Sequence, residues 1–304
     1  MSSGFRSGFV SLVGRPNTGK STLLNALVGQ KVAIVADKPQ TTRTSIQGVL
    51  TFAEAQIVFL DTPGIHKADS ALNKRLMDVV RASLEERDLL LFLTDASHGD
   101  IDEDRRAIDV LRRTTTPVVL VLNKIDLLRD KSALLPLIEQ YKSIYEFADF
   151  VPISAVKGTG LDELRKVILE RMPEGPAYFP EDHVTDQPER FLAAELIREK
   201  VLLATRQEVP HSVTVMVDKW EETPQITRIY ATIRVERPGQ KAIVIGSKGA
   251  MLKKIGTAAR QEMERLFGMR IYLEIHVRVQ PGWREKPAFL DTLDWRTMAG
   301  EDEI

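Results

Sequence analysis

The sequence predicts an α/β domain with a mostly parallel sheet, followed by a smaller α+β domain. Short apolar runs at 8–13, 57–60, 89–94, 118–122 and 149–153 alternate with amphipathic stretches over the first 170 or so residues. Alternation of this kind is typical of a parallel sheet with helices on both faces. From residue 189 the order changes to α–β–β–α–turn–α–β, which indicates a second fold.

Clusters of turn-forming residues set the domain boundaries. Proline, glycine and acidic residues concentrate at 172–176 and 179–182, as expected of a linker. We therefore expect an N-terminal domain over 1–174, a linker over 175–188, a second domain over 189–280 and a tail over 281–304. The tail carries Trp283, Phe289 and Trp295, which either stack on bases or, as we favour, anchor the tail.

Composition excludes several classes of protein. The 304 residues include no cysteine, which rules out disulfides, thiolate metal sites and cysteine nucleophiles. No apolar run approaches the roughly 18 residues of a membrane span, and the N-terminus lacks a signal core, so we expect a cytoplasmic protein. The net charge of −1 means that any nucleic-acid site must be a local patch.

A complete phosphate-binding loop follows the first predicted strand. It has the pattern G-x-x-x-x-G-K-[ST], and the helical run from Ser21 comes directly after it. Backbone N–H groups and the helix N-terminus favour phosphate, Lys20 would reach the β- and γ-phosphates, and the Ser21 hydroxyl would ligate Mg²⁺. The expected nucleotide contacts here are Gly14, Arg15, Pro16, Asn17, Thr18, Gly19, Lys20, Ser21 and Thr22.

Two further segments are expected beside the phosphates. Asp61-Thr62-Pro63-Gly64 ends the strand at 57–60, which suits an aspartate that holds Mg²⁺ through a water and a Gly64 N–H that senses the γ-phosphate. A threonine of the loop Lys38–Thr44 would complete the Mg²⁺ shell. Thr42 is our choice and Thr41 the alternative.

The nucleotide base is expected to lie against two strand ends. Asp126 in Asn123-Lys124-Ile125-Asp126 can accept the paired N–H groups that guanine presents and adenine lacks. Asn123 would support the purine edge and Lys124 would cover its face. The segment Ser154-Ala155-Val156 follows the strand at 150–153, and its Ala155 N–H suits the guanine oxygen.

In this order the five segments resemble the G1 to G5 motifs of the translation-factor-related GTPases, over about residues 8–172. The resemblance implies binding of GTP and GDP, Mg²⁺ as cofactor, and hydrolysis that depends on Lys20, Thr42 and Gly64. Ile65 stands where Ras-like proteins carry a water-orienting glutamine. In related GTPases an asparagine at the position of Asn17 helps to bind K⁺, so K⁺ activation is a hypothesis here.

A second glycine loop lies in the C-terminal part. The sequence Val244-Ile245-Gly246-Ser247-Lys248-Gly249 with its flanking helices resembles the core of a prokaryotic-type (type II) KH domain, a single-strand RNA-binding fold. Residues 237–261 contain six basic and no acidic side chains. Apolar Ile243, Val244 and Ile245 either line the RNA groove or belong to the core. The RNA-binding candidates are Lys241, Ile245, Gly246, Ser247, Lys248, Gly249, Lys253 and Lys254.

The combination of a GTPase with a type II KH domain resembles the bacterial ribosome-assembly GTPases. That resemblance implies contact with the 3′ end of 16S ribosomal RNA, a role in 30S subunit assembly, and a monomer. Peripheral membrane association occurs among such relatives, but the sequence offers no anchor. Two alternatives are a GTPase whose KH-like domain binds protein and a metabolic enzyme that transfers phosphate to a small molecule.

Overall fold

A computed structural model describes residues 4–65, 69–98, 101–206 and 209–293. The chain forms two compact units. The N-terminal unit comprises 1–33, 42–68 and 73–186, and the C-terminal unit comprises 34–41, 69–72 and 187–304. The continuous boundaries expected from the sequence do not anticipate the two short insertions, 34–41 and 69–72, that group with the C-terminal unit.

The N-terminal unit is built on one sheet. Its strands are β1 (Arg6–Gly14), β2 (Ile46–Phe52), β3 (Ala55–Asp61), β4 (Leu89–Asp95), β5 (Val118–Asn123) and β6 (Asp149–Pro152). Their spatial order is β2-β3-β1-β4-β5-β6, with β2 antiparallel to β3 and the other neighbours parallel. The predicted mostly parallel sheet is therefore confirmed.

Helices cover both faces of this sheet. They are α1 (Lys20–Val28), α2 (Ala71–Ala82), α3 (Ile101–Leu111), α4 (Leu134–Lys142) and α5 (Leu161–Leu169). Alternate strand residues face opposite sides, so Leu91 packs in one apolar cluster with α1 and α5, while Phe92 packs in the other with α2, α3 and α4. The central strands β4 and β5 are buried along their whole length, as expected of a sheet covered on both faces.

The carboxyl ends of the parallel strands meet at one edge. β1 ends at Gly14, β3 at Asp61 and β5 at Asn123. In an open α/β sheet ligands bind outside these ends. The topology thus places the phosphate loop and the segments that begin with Asp61 and Asn123 on the same side of the sheet.

The C-terminal unit has the predicted α–β–β–α–turn–α–β order, with short additions. Its main elements are α6 (Glu189–Ala204), α7 (Val209–Ser212), β7 (Thr214–Glu222), β8 (Thr227–Val235), α8 (Pro238–Ile245), α9 (Ala250–Phe267), β9 (Ile271–Val279) and α10 (Pro287–Asp291). The sheet order is β7-β8-β9, with β8 and β9 parallel. Apolar side chains of α6 and α9, among them Ile197 and Ala259, pack with those of the sheet in one core.

The tail is partly ordered against this core. Trp283 is fully buried, and its indole N–H donates to the Ser212 carbonyl at 3.0 Å. Phe289 packs edge-on against it, with 5.8 Å between ring centroids. Both aromatic residues anchor the tail, whereas Trp295 lies outside the described residues. Within the described residues, no helix has the length and apolar character needed to cross a membrane.

Candidate functional site

The loop between β1 and α1 wraps around the Lys20 side chain. Its Nζ donates to the carbonyls of Gly14 at 3.2 Å and Arg15 at 2.8 Å. Gly14 has φ +147°, and a Cβ there would lie 2.4 Å from the Leu93 carbonyl oxygen. Only glycine therefore fits where the strand turns into the loop.

Burial sets the charge state of Lys20. Desolvation lowers the pKa of its ammonium group to about 8, against the opposing attraction of Asp61 and Asp104. Placed at a helix N-terminus, a buried lysine of this kind favours a polyanion, whose charge would offset the cost of desolvation.

The Arg15 side chain is fixed to α3. Its guanidinium group is paired with Glu103 and with the buried carboxylate of Asp104. The other Asp104 oxygen accepts hydrogen bonds from Thr94 at 2.7 Å and from Tyr141 at 2.5 Å. In this structure Arg15 lines the loop with its backbone while its side chain holds the loop in place.

A buried cluster of oxygen atoms lies next to the lysine. The Ser21 hydroxyl donates to Asp61 Oδ2 at 2.5 Å, and the Thr42 hydroxyl lies 2.9 Å from Ser21 Oγ and 3.2 Å from the same Asp61 oxygen. The structure therefore brings Thr42 to this cluster. The Thr41 hydroxyl donates elsewhere, to the carbonyls of Lys38 at 2.6 Å and Ala36 at 3.1 Å.

The composition of this cluster fits Mg²⁺. Asp61 Oδ1 is buried without a hydrogen-bond partner. Burial raises the pKa of the Asp61 carboxyl to about 6, against the opposing effects of Lys20 and of the hydroxyl donors. A cation with a preference for carboxylate and hydroxyl oxygen would use the unpartnered oxygen and keep the carboxylate charged.

The segment after Asp61 passes close to the phosphate loop. A Cβ on Gly64 would lie 2.5 Å from the Pro16 nitrogen, and the Ile65 N–H donates to the Gly14 carbonyl at 3.0 Å. The Thr62 hydroxyl donates to the Leu12 carbonyl at 2.8 Å, so this side chain fixes the segment to β1. Ile65 turns into the apolar core with 6% of its surface exposed, and therefore cannot orient a water.

The expected base-binding residues form a connected group. The Asn123 amide donates to the Thr18 carbonyl at 2.8 Å, and its oxygen accepts the Ala155 N–H at 3.0 Å. Asp126 is exposed and accepts the Ser154 hydroxyl at 2.5 Å. The Ala155 N–H, expected to face the guanine oxygen, is thus engaged by Asn123 in this structure.

Lys124 and Val156 flank this group. Lys124 adopts a left-handed backbone (φ +65°), and its Nζ lies 2.6 Å from Asp95. Val156 is 73% exposed. In this structure the Lys124 ammonium group is therefore engaged by Asp95, and Val156 lies at the surface.

The second glycine loop joins α8 to α9. Gly246 has φ +71°, and a Cβ there would lie 2.7 Å from Met251 Cβ. Lys248 has a left-handed backbone (φ +51°) and is exposed. Helix α9 begins directly after Gly249. The loop therefore presents Ser247 and Lys248 to solvent at a helix N-terminus, where phosphate is favoured.

A groove of about 380 Å³ runs from this loop between α9 and β9. Its lining combines small, apolar and basic side chains, namely Gly249, Leu252, Lys253, Gly256, Thr257, Arg260, Leu273 and Ile275. Of the eight RNA-binding candidates, only Gly249 and Lys253 line it. Ile245 packs against the apolar core and Val244 is fully buried in it.

Sequence reasoning missed the floor and far wall of this groove. Leu273 and Ile275 come from β9, whose alternating pattern predicts a strand but does not indicate a groove. The available signal is Gly256, nearly two turns into α9, where a Cβ would lie 3.5 Å from Ile275 Cδ1.

Comparisons with known proteins identify a family for each unit. Residues 9–124 match a family model described as 50S ribosome-binding GTPase, and residues 208–284 match a KH domain model. The chain is 52% identical over 293 residues to GTPase Era of Geobacter metallireducens, covering 96% of this chain and 98% of the relative. It is 48% identical to GTPase Era of Ruminiclostridium cellulolyticum, covering 96% and 98%.

Solved structures of Era proteins also match nearly the whole chain. A variant of Aquifex aeolicus Era bound to GDP·AlF4⁻ matches with a TM-score of 0.91 at 43% identity, covering 96% of this chain and 99% of the other. Era in complex with MgGDPNP and nucleotides 1506–1542 of 16S ribosomal RNA matches equally well, with the same coverage. These similarities extend over nearly the full length of the chain, and the protein therefore belongs to the Era family of GTPases.

Proposed function

We propose that this protein is a GTP-hydrolysing switch that binds the 3′ end of 16S ribosomal RNA and acts in 30S subunit assembly. We further propose that it works as a monomer in the cytoplasm. The observation that carries the proposal is the groove between α9 and β9, which opens beside an exposed G-x-x-G loop. A relative of similar length has been solved with that RNA.

The groove has the chemistry of a single-strand site. Its apolar floor, Leu252, Leu273 and Ile275, suits the faces of unstacked bases, and Lys253 and Arg260 line it with positive charge. The G-x-x-G backbone and Lys248 would contact the sugar-phosphate chain. Lys241 and Lys254 add positive charge outside the groove.

The nucleotide site would act through its own residues in three ways. Lys20 and the N–H groups of the phosphate loop would bind the β- and γ-phosphates, and the Gly64 N–H would contact the γ-phosphate. Asp126 would select guanine. Ser21, Thr42 and Asp61 would hold Mg²⁺, which when bound offsets the charge of the phosphates.

Ile65 cannot orient the attacking water, because its apolar side chain is buried. Asn17 is exposed in the phosphate loop with a left-handed backbone (φ +63°) and carries an amide oxygen, a suitable ligand for a monovalent cation. We propose that Asn17 helps to hold K⁺, which would supply the positive charge that an arginine finger brings in other GTPases.

RNA binding and nucleotide binding should be linked. If GTP tightens RNA binding by some factor, RNA must tighten GTP binding by the same factor. Thr42 is the residue through which we expect the γ-phosphate to act, because ordering of this threonine depends on γ-phosphate and Mg²⁺ in the wider class.

The direct test measures binding of an RNA oligomer from the 3′ end of 16S ribosomal RNA, with a non-hydrolysable GTP analogue or with GDP. Lys248→Asp should weaken binding by about tenfold or more, because it replaces a phosphate-facing charge with one of the opposite sign. Lys131→Asp, an equal charge change at an exposed site of the N-terminal unit, is the matched control.

Two outcomes would contradict the proposal. Equal RNA affinity with both nucleotides would remove the switch. Ribosome association that survives Lys248→Asp would instead favour a KH-like domain that binds protein.

A further inference from the structure

Residues 34–41 directly precede Thr42 in the chain but belong to the C-terminal unit. Ile34 is 1% exposed and lies in the apolar core of that unit, together with Leu196 and Ile197 of α6. We call residues 34–41 the anchored loop. Its hydrophobic start is thus fixed independently of any nucleotide contact.

Two consecutive charged residues of α6 hold the backbone of the anchored loop. The Glu199 carboxylate accepts the Val35 N–H at 2.8 Å. The Arg198 guanidinium group donates to the carbonyl of Thr41 and to that of Gln40, the latter at 3.4 Å. One residue therefore fixes the beginning of the loop and the other fixes its end.

Burial makes these contacts costly to lose. Arg198 is 1% exposed and Glu199 is 2% exposed. Arg198 also pairs with Glu195 at 2.5 Å, and Glu199 pairs with Lys200 at 2.6 Å. When a buried charged group loses a hydrogen-bond partner, its desolvation is no longer compensated and the protein is destabilised. The Arg198 guanidinium group therefore favours the arrangement in which the Gln40 and Thr41 carbonyls accept its hydrogen bonds.

Between these two contacts, the anchored loop is held by hydrogen bonds among its own residues. Gln40 has a left-handed backbone (φ +61°), which turns the chain just before the captured carbonyls. The Thr41 hydroxyl donates to the Lys38 and Ala36 carbonyls. The peptide bond from Thr41 to Thr42 then leads from this fixed loop to the residue that contacts Ser21 and Asp61.

We propose that Arg198, assisted by Glu199, is a positioning residue for Thr42 that favours the arrangement in which Thr42 joins Ser21 and Asp61. The inference rests on the proposed role of Thr42 at the γ-phosphate site. Since the captured Thr41 carbonyl is one peptide bond from Thr42, recruitment of Thr42 and attachment of the loop to α6 are linked equilibria. A nucleotide that recruits Thr42 should strengthen the attachment, and the attachment should strengthen binding of that nucleotide.

The test is the ratio of affinities for a non-hydrolysable GTP analogue and for GDP, measured by titration without RNA. Arg198→Lys keeps the charge but cannot hold both carbonyls and Glu195 with one planar group. It should lower the analogue affinity about fivefold while GDP affinity stays unchanged, because GDP lacks the group that recruits Thr42. In turnover assays the KM for GTP should rise more than kcat falls.

Arg190→Lys is the matched control. Arg190 lies on the same helix and also donates to two consecutive carbonyls, Val217 at 3.1 Å and Asp218 at 3.2 Å, outside the anchored loop. It should leave the affinity ratio unchanged. Glu199→Asp, which withdraws the carboxylate from the Val35 N–H, is a second variant and should lower the ratio in the same direction.

Three results would overturn the inference: an unchanged ratio in folded Arg198→Lys and Glu199→Asp, an equal loss of GDP and analogue affinity, or the same loss in Arg190→Lys. Because no RNA is present, failure here leaves the RNA-binding proposal standing. Conversely, loss of RNA binding by Lys248→Asp does not depend on this ratio.

Discussion

The Ser21 hydroxyl donates to the Asp61 carboxylate at 2.5 Å, while the other oxygen of that carboxylate is buried without a hydrogen-bond partner. The pair joins the first turn of α1 to the end of β3. A carboxylate that is charged, fully buried and only half satisfied is unfavourable for folding alone. Its location beside Lys20 is explained if the protein loses some folding stability here in order to bind a cation and phosphates.

Asp61→Asn should therefore stabilise the nucleotide-free protein while weakening binding. Burial raises the pKa of Asp61 to about 6. The folded state then binds more protons than the unfolded state between the ordinary carboxyl pKa and 6, so stability falls as pH rises through that range. At pH 7.5 the variant should gain about 2 kcal/mol in urea unfolding, and much of this gain should vanish near pH 4.

The same substitution should weaken Mg²⁺-dependent GTP binding by about 10- to 100-fold. Asp102→Asn, at an exposed carboxylate on α3, controls for loss of a negative charge. A variant that is less stable than the parent at pH 7.5, or that binds Mg²⁺·GTP normally, would contradict this account.

Nucleotide binding should take up a proton above pH 8. Burial lowers the pKa of Lys20 to about 8, so at pH 9 most of the free protein carries a neutral amine there. Bound phosphates favour the ammonium form, so binding must be accompanied by protonation and affinity should fall toward tenfold per pH unit. Calorimetry at pH 9 in two buffers of different ionisation enthalpy measures the proton directly.

Lys20→Arg serves as the control for this experiment, because a guanidinium group stays charged throughout the range. Whatever its affinity, the variant should show no inflection near pH 8. Proton uptake of zero in the parent protein at pH 9 would refute the assignment of the buried lysine as a phosphate ligand.

The local motifs made the nucleotide site predictable, since each follows a strand and parallel strands end at one edge. The residues that fix those motifs were not predictable. Asp104 holds Arg15 from a distant helix, and Arg198 reaches Thr41 across 157 positions of the chain. Neither carries a local pattern that differs from an ordinary amphipathic helix.

The proposed RNA groove, too, is predictable from the sequence only in part. Its loop and basic residues form a contiguous stretch that the sequence predicts, whereas its floor depends on which face of β9 lies against α9. Strand alternation gives two faces but does not say which one a helix leaves open. On helix α8, likewise, the sequence does not say whether Val244 and Ile245 face the groove or the core. The structure buries Val244 and packs Ile245 against the core.

Guanine selection is expected to depend on Asp126. Asp126→Asn should lower GTP affinity by about a hundredfold or more and shift preference toward the xanthine nucleotide, whose base offers an acceptor where guanine offers a donor. Competition with GTP, ATP and XTP measures the preference. Asp130→Asn, at an exposed carboxylate that accepts from the neighbouring Ser132, is the matched control. Unchanged base preference would exclude Asp126 as the selecting residue.

Turnover should depend on the monovalent cation. With Ile65 buried, we expect GTP hydrolysis in KCl to exceed that in NaCl of equal ionic strength by about tenfold, and Asn17→Ala to abolish the difference without a large change in GDP affinity. Identical rates in the two salts would remove K⁺ from the mechanism. A difference that persists in Asn17→Ala would move the cation site to other residues.

The Tyr141 hydroxyl should matter for stability and for the shape of the phosphate loop. It is buried, and burial together with the Asp104 charge raises its pKa, so it donates to Asp104 throughout the physiological range. Tyr141→Phe leaves Asp104 with one donor fewer while Arg15 still depends on it. We expect a loss of about 1–2 kcal/mol in unfolding free energy, independent of pH between 6 and 9.

Tyr145→Phe provides the control for that loss, because Tyr145 packs on the same Phe147 ring but its hydroxyl makes no hydrogen bond among those the structure describes. Tyr145→Phe should change the unfolding free energy only slightly. If Arg15 holds the loop through Asp104, Tyr141→Phe should also weaken GTP and GDP binding equally, since both nucleotides use the loop. A loss confined to GTP would instead place the effect at the γ-phosphate, and an unfolding free energy equal to that of Tyr145→Phe would show that the network does not hold the loop.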